Sequence, residues 1–395
     1  MKKSLIVIFL VIFTLLLSGC WSKRELSDLA IVSALGIDKV NDGYSISVQI
    51  INAGEMSENK SSGSQSPVTT YHATGQSVFE AIRKLTASSP RRAYFTHMQL
   101  VVFGEEFASE GIAEALDFLA RDQAIRSDFN FVVAYNSTAK DILNVLTPIE
   151  KLPAKKILNS ALASQDAWGS TRFVDTEDLI SELGDDDKST VLSAIELVGD
   201  KELGKRPDNV ERIETSAVLH FTGLGVFKKD KLIGYLTESE SIYYNFLMNN
   251  IKSTIINTSC PNKGSITTEI GNSKTTIQGK FEQGIPKINV KIDIEQNVAE
   301  VKCAIDLSKE KTLKMIDKKT ANFIKENIEK TINTIKDNYQ VDILNFGEVL
   351  HKEDYKAWDT IKDDWSTMFP ELEVNVDVNV KTTGTATLVN SIEKE

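Results

Sequence analysis

The chain is predicted to be an α/β (α+β) protein of two to three mixed sheet-plus-helix domains, with a long amphipathic helix packed on a sheet in the carboxyl-terminal one. Three observations predict this. Short apolar or alternating runs bounded by turn residues exchange with segments of helical period up to about residue 150. That alternation lapses in a polar, turn-rich stretch around residues 184–214 and restarts near residue 215. Between residues 308 and 339 apolar side chains recur at helical spacing for longer than anywhere else.

Taken in order, LAIVSALGID reads as a buried strand, Asn41-Asp42-Gly43 as a turn and YSISVQI as its partner strand. Residues 57–67, rich in Ser and Gly, read as a loop. VTTYHATG is a third strand, and SVFEAIRKLTASS a helix with Val78, Ile82 and Leu85 on one face. FTHMQLVVFG is a strand, EEFASEGIAEALDFLARD one amphipathic helix, FNFVVAYN a strand, and STAKDILNVL a helix with Ser137 as candidate N-cap. Residues 150–185 read as helical and polar. GDDDKS and ELVGDKELGKRPDNVERIE read as loops or a hairpin and carry the expected domain boundary. Beyond it, SAVLHFTGLGVF and KLIGYL are strands, ESIYYNFLMNNI a helix, and three or more strands are expected between residues 263 and 306. Ser308 would cap the long helix, whose stripe is Leu313, Ile316, Ile324, Ile328, Ile332, Ile335 and Tyr339. ELEVNVDVNVKTTG alternates as a strand of a one-sided sheet.

The amino terminus carries an address. Lys2 and Lys3 precede an apolar run from Leu5 to Leu17, shorter than the roughly 20 residues a spanning helix needs and suited to a signal-peptide core. The run ends Leu17-Ser18-Gly19-Cys20, which has the form of a bacterial lipobox: the Cys20 thiol takes a diacylglyceryl group, and cleavage leaves Cys20 first. The expected division is therefore 1–19 signal peptide, 20–200 amino-terminal α/β region (divisible into 20–150 and 151–200), and 210–395 carboxyl-terminal α/β domain. Loss of Lys2 and Lys3 moves the net charge from −11 to −13, so bulk charge attracts neither nucleic acid nor anionic lipid. A hydrophobic content of 41% supports packed cores. Cys260 and Cys303 remain after lipidation, in a compartment where they could either pair or stay as two thiols.

No constellation of catalytic residues is legible. His72, His97, His220 and His351 are far apart, without paired metal-ligand spacing. Asp185, Asp186 and Asp187 lack the alternating ligands and closing Glu of a calcium loop and read as a solvated acidic loop. Gly223-Leu224-Gly225 has neither a third glycine nor a following helix start. Trp168, Tyr243 and Tyr244 read as core or interface packing. No catalytic, cofactor-binding or metal residue is expected, and the chain reads as a binding or assembly protein without a cofactor. A solute-binding lipoprotein feeding a transporter would share the anchor; a surface hydrolase would need polar groups converging from distant segments.

Specific runs then carry a resemblance. CWSKREL with AIVSALGID, FTHMQLVVFGEEFASEGIAEALDFLARDQAIRSDFNFVVA, GVFKKDKLIGYL, and YQVDILNFGEVLHKEDYKAWDTIKDDWSTMFPELEVNVDVNVKTTG occur in the order found in the Ger(x)C family of spore germination lipoproteins. The chain resembles that family over nearly its whole length. It departs at Ser22, where members commonly have an acid, and at Glu238-Ser239-Glu240-Ser241-Ile242, where an Glu-Thr-Arg-Gly-like stretch is usual. The resemblance implies several α/β domains and the C subunit of a nutrient germinant receptor. Such a subunit is lipid-anchored at the outer face of the spore inner membrane and acts with membrane-embedded A and B subunits.

Overall fold

The structure is a computed structural model that describes residues 28–52, 66–184, 189–261 and 263–385. The expected signal peptide, Cys20, residues 57–65 of the polar loop and Asp185, Asp186 and Asp187 lie outside the described residues.

Two sheets organise the described residues. In the first, β1 (Leu29–Val40) turns through Asn41, whose φ of 29° is left-handed, into β2 (Gly43–Ile51), and β3 (Val68–Gly75) pairs antiparallel beyond it. α1 (Val78–Lys84) follows, its first turn capped by Ser77, which accepts from the Glu80 amide. The short β4 (Arg92–Tyr94) lies parallel to the start of β1. β5 (Leu100–Phe103), β6 (Asn130–Ala134) and β7 (Ser189–Gly199) then run parallel to β1 as the centre of the sheet. β8 (Ala217–Lys228) and β9 (Lys231–Thr237) close it antiparallel, giving the order β3-β2-β1-β5-β6-β7-β8-β9.

Parallel strands need crossovers, and here helices supply them. α2 (Glu105–Glu110), α3 (Ala113–Arg121) and α6 (Thr176–Leu183) cover one face with α1, while α4 (Ala139–Leu143) and α5 (Pro153–Ala167) cover the other. The assignment follows the strand period: Val101 and Phe103 of β5 join one core, Leu100 and Val102 the opposite one.

The second sheet has the order β10-β11-β12-β13: β10 (Thr254–Ser259), β11 (Ser265–Glu282), β12 (Ile285–Val301) and β13 (Glu373–Gly384). α7 (Glu238–Leu247), opened by a reciprocal Thr237–Glu240 capping box, leads into it. Gln283 and Gly284 both have positive φ, 52° and 83°, as a two-residue hairpin turn requires. β12 and β13 are parallel, and α8 (Glu310–Thr334) makes the crossover, ending in a π turn, Ile335–Tyr339. Its Ile324, Ile328 and Ile332 pack on Ile288, Val290, Ile292 and Ile294 of β12 and on Val376 and Val378. The same core takes in Val191, Leu224, Val226 and Leu236 from β7–β9, so the two sheets share an apolar seam. The expected class, mixed α/β with a long amphipathic helix on a carboxyl-terminal sheet, is what the structure has.

Several local expectations need correction. The single helix over residues 105–122 is two, because Gly111 has φ 136° and the Asp230 carbonyl takes the Ile112 amide. Residues 95–97 form a 3-10 turn, so the strand starts at Leu100. Thr138, not Ser137, caps α4. Ser308 bonds Asp306, and the long helix starts at Glu310. Residues 263–306 hold two long strands instead of three or more. The stretch 184–214 contains β7, whose buried Ser189, Thr190 and Ser193 disguise it, plus the helical turns Lys201–Gly204 and Asp208–Glu211. β7 and β8 pair directly across the expected boundary residues 200–210.

Candidate functional site

In open sheets with parallel strands, ligands enter the crevice beyond the strands' carboxyl ends, where successive helices leave to opposite faces. Here that point lies between β5 and β6: α2 leaves toward one core, α4 toward the other. A crevice of about 440 Å³ opens there, lined by Asp38, Glu105, Asn136, Thr138, Asp141 and Lys201 among others.

β1 delivers Asp38 into it. The carboxylate is 7% exposed and accepts the amides of Ala139 (2.7 Å) and Lys140 (2.9 Å). It thus fills the place at the start of α4 that an anionic ligand would take. Burial pushes its pKa up, against the pull of those two amides. Gly104 makes room, since a Cβ there would collide with Asp38 Oδ1. Asp141 takes the hydroxyl of Thr138 at 2.7 Å and pairs with Lys201; burial pushes its pKa up, but Lys201 and Thr138 outweigh it and hold the group below its ordinary value. Lys39 pairs with Glu110 at 2.6 Å. Asp38, Asp141, Lys201, Lys39 and Glu110 are thus engaged within the protein, and the crevice ties β1 to α4 and α2, and α4 to the turn Lys201–Gly204.

A second constellation forms where α8 ends. The chain turns through Gln340 and Asn345, both left-handed at φ 54° and 57°. The turn wraps the half-buried Asp342, whose carboxylate accepts from the amides of Leu344 (3.2 Å), Phe346 (3.1 Å) and Gly347 (2.7 Å) and from Trp365 Nε1 (3.1 Å). Burial drives its pKa up, opposed by those donors. From Trp365 an aromatic path runs edge-on to Trp358, then to His351 and the 66% exposed Tyr355. α9 (Phe346–Glu353) seats Leu350 against Gly279 of β11, tying this knot to the second sheet.

The residues singled out from sequence scatter. His72 Nδ1 lies 2.8 Å from Ser47 Oγ, while His351 joins the aromatic path, so the histidines are not brought together. Among the described residues no group of three or more His, Cys, Asp or Glu could hold a metal ion. Tyr243 and Tyr244 are buried in the second core, whereas Trp168 is half-exposed and donates to Glu238 at 2.8 Å. Gly223 (φ 145°) lies inside β8 against the Leu236 carbonyl. Cys260 and Cys303 lie side by side at the far end of the second sheet, their Cα atoms 6.5 Å apart, beside Ile266, Val298 and Ile316. Among the described residues no helix is long and apolar enough to cross a membrane. Sequence reading missed Asp38, Asp342 and the half-buried Arg172–Glu182 pair. A single acid inside an apolar run, as in VDILNF, is the signal that would have found Asp342.

Comparison with known proteins agrees with this architecture from end to end. Residues 22–197 match the model of the spore germination protein N-terminal domain, and residues 222–386 that of the spore germination B3/GerAC-like C-terminal domain. The chain is similar to spore germination protein KC of Bacillus subtilis (strain 168), 32% identical over 95% of this chain and 94% of that one. It is 20% identical to spore germination protein GerQC of Bacillus cereus over 97% and 98% of the two chains. The crystal structure of the GerBC protein shares its fold, with a TM-score of 0.54 at 17% identity, covering 88% of this chain and 96% of that one. The chain belongs to the Ger(x)C family of spore germination proteins.

Proposed function

We propose that this protein is the C subunit of a nutrient germinant receptor, anchored by lipid at Cys20 to the outer face of the spore inner membrane. It works there with membrane-embedded A and B subunits in assembly or signalling. The observation that carries the reading is similarity to spore germination protein KC across nearly the whole of both chains, through both family domains. The role is one of binding and not of catalysis, supported by a strand-end crevice whose Asp38 and Asp141 are engaged within the fold. The proposal includes two regions, 20–200 and 210–395, joined through the β7–β8 pairing of the first sheet, and a Cys260–Cys303 disulfide. The bond closes a 43-residue separation, worth roughly 4 kcal/mol in the chain-entropy model.

Deleting the gene in a strain without redundant receptors is expected to leave spores that form normally and fail to germinate on the cognate nutrient. The subunit is also expected to co-purify with its A and B partners. Unchanged germination would overturn the assignment. Cys20→Ala tests the anchor separately, through loss of palmitate labelling and of membrane retention.

A further inference from the structure

On a chain of net charge −11, the stretch between Glu80 and Glu105 is an exception: it contains Arg83, Lys84, Arg91 and Arg92 and no Asp or Glu. The fold gathers these residues. Arg83 sits in the last turn of α1, Arg92 opens β4, and Arg83, Arg91 and Arg92 share the rim of a shallow cleft of about 120 Å³. Ile50, Ile82, Leu85 and Phe95 contribute apolar lining. Lys84 pairs with Glu80 at 2.7 Å, but among the described residues Arg83, Arg91 and Arg92, all exposed, make no ion pair. The acid on the rim, Asp122, accepts the Ala124 amide at 2.9 Å. Phe79, 45% exposed, lies under the Arg83 guanidinium at 4.8 Å.

The location of this patch gives it an orientation. Arg92 is the register partner of Leu29, the first residue of β1, so the patch stands one strand away from where the chain departs toward Cys20. Even fully extended, the stretch from Cys20 to Leu29 reaches roughly 30 Å. The arginines are therefore held close to whatever surface holds the lipid.

We propose that Arg83, Arg91 and Arg92, with Phe79 under Arg83, form a docking surface for the anionic lipid headgroups of the bilayer that anchors Cys20. The proposal rests on the anchored reading of Cys20. Guanidinium forks match phosphate oxygens in pairs, and each cation near an anionic surface shifts the docked-to-undocked ratio roughly fivefold. The acidic remainder of the chain is repelled by the same surface, so the patch selects one face. The protein then stands on the bilayer by that face and does not swing on its tether.

The test uses the full lipidated chain in vesicles, with a fluorophore on Ala87→Cys, an exposed residue beside the patch, and quencher on the lipid headgroups. In vesicles containing phosphatidylglycerol the fluorophore is expected to be quenched more than in phosphatidylcholine alone. The excess should fade as salt shortens the screening length from roughly 30 Å at 0.01 M to 3 Å at 1 M. Reversing Arg91→Glu and Arg92→Glu together should lower the docked-to-undocked ratio by at least roughly 25-fold, while thermal unfolding and flotation with the vesicles stay unchanged. Equal quenching in both lipids, or quenching indifferent to the charge reversal, would overturn the docking surface. Failure of the parent protein to float with either vesicle would instead overturn the Cys20 anchor, so the two readings fail separately.

Discussion

The two sheets bury their strands by different rules. In the first, helices cover both faces, and all four residues of β5 are buried. In the second, α8 covers one face only, so β12 and β13 alternate between buried and exposed residues. The open face presents Lys274, Thr276, Asn289, Lys291, Asn375 and Asp377. A continuous apolar strand tolerates polar change nowhere, whereas an alternating one has a free side and a register fixed by its period. The second region is further secured by a polar knot, Asp342, where the first relies on apolar packing with a carboxylate latch at its edge.

The largest expected effect is at that knot. Asp342→Ala would strand three amides and an indole N–H that Asp342 now satisfies, at a cost of about 4 kcal/mol or more, read by urea unfolding followed through tryptophan fluorescence. A loss under about 1 kcal/mol would mean that packing alone holds the second region, and the contrast would collapse. Next come paired substitutions along the strands. Val101→Ala and Val102→Ala, whose side chains enter opposite cores, should each cost about 2 kcal/mol. In β13, Val376→Ala should behave like them, while Asp377→Ala, on the open face, should stay within about 0.5 kcal/mol. A similar cost at Asp377 would show that the open face is not open.

The smallest effect is a pH dependence confined to the first sheet. Burial first, then Lys140 and Lys205, lower the pKa of His72 from its ordinary 6.5. The unfolded chain therefore takes the proton more readily. The stability His72 contributes is complete above pH 6.5 and is lost as pH falls below it toward the lower folded value. His72→Gln should flatten that part of the stability profile; an unchanged slope would assign it to other groups.

Legibility in the sequence followed the same divide. The second region was readable where one period governs a long element: the stripe of α8 and the alternation of β13 stand as expected. The first sheet's hairpin was readable from Asn41-Asp42-Gly43. What could not be read depended on contacts from afar. α2 and α3 part at Gly111 because Asp230, in the β8–β9 turn, supplies both a carbonyl and a carboxylate oxygen to the start of α3. β7 hid behind hydroxyls that only the surrounding sheet shows to be buried. The candidate site was illegible for a related reason: Asp38 and Ala139 meet across 101 positions, and no local pattern marks the meeting.

The apolar seam also orders events in time. Val191, Leu224, Val226 and Leu236 belong to strands of the first sheet, yet they share one core with α7, α8 and the second sheet. The second sheet is complete only when Glu373 reaches Lys287 to start the β12–β13 ladder, a pairing of distant residues and so a slow step. A chain emerging from its amino end therefore holds a nearly finished first sheet whose shared core stays incomplete until the last strand arrives. The interval before that arrival is when it is most prone to aggregate.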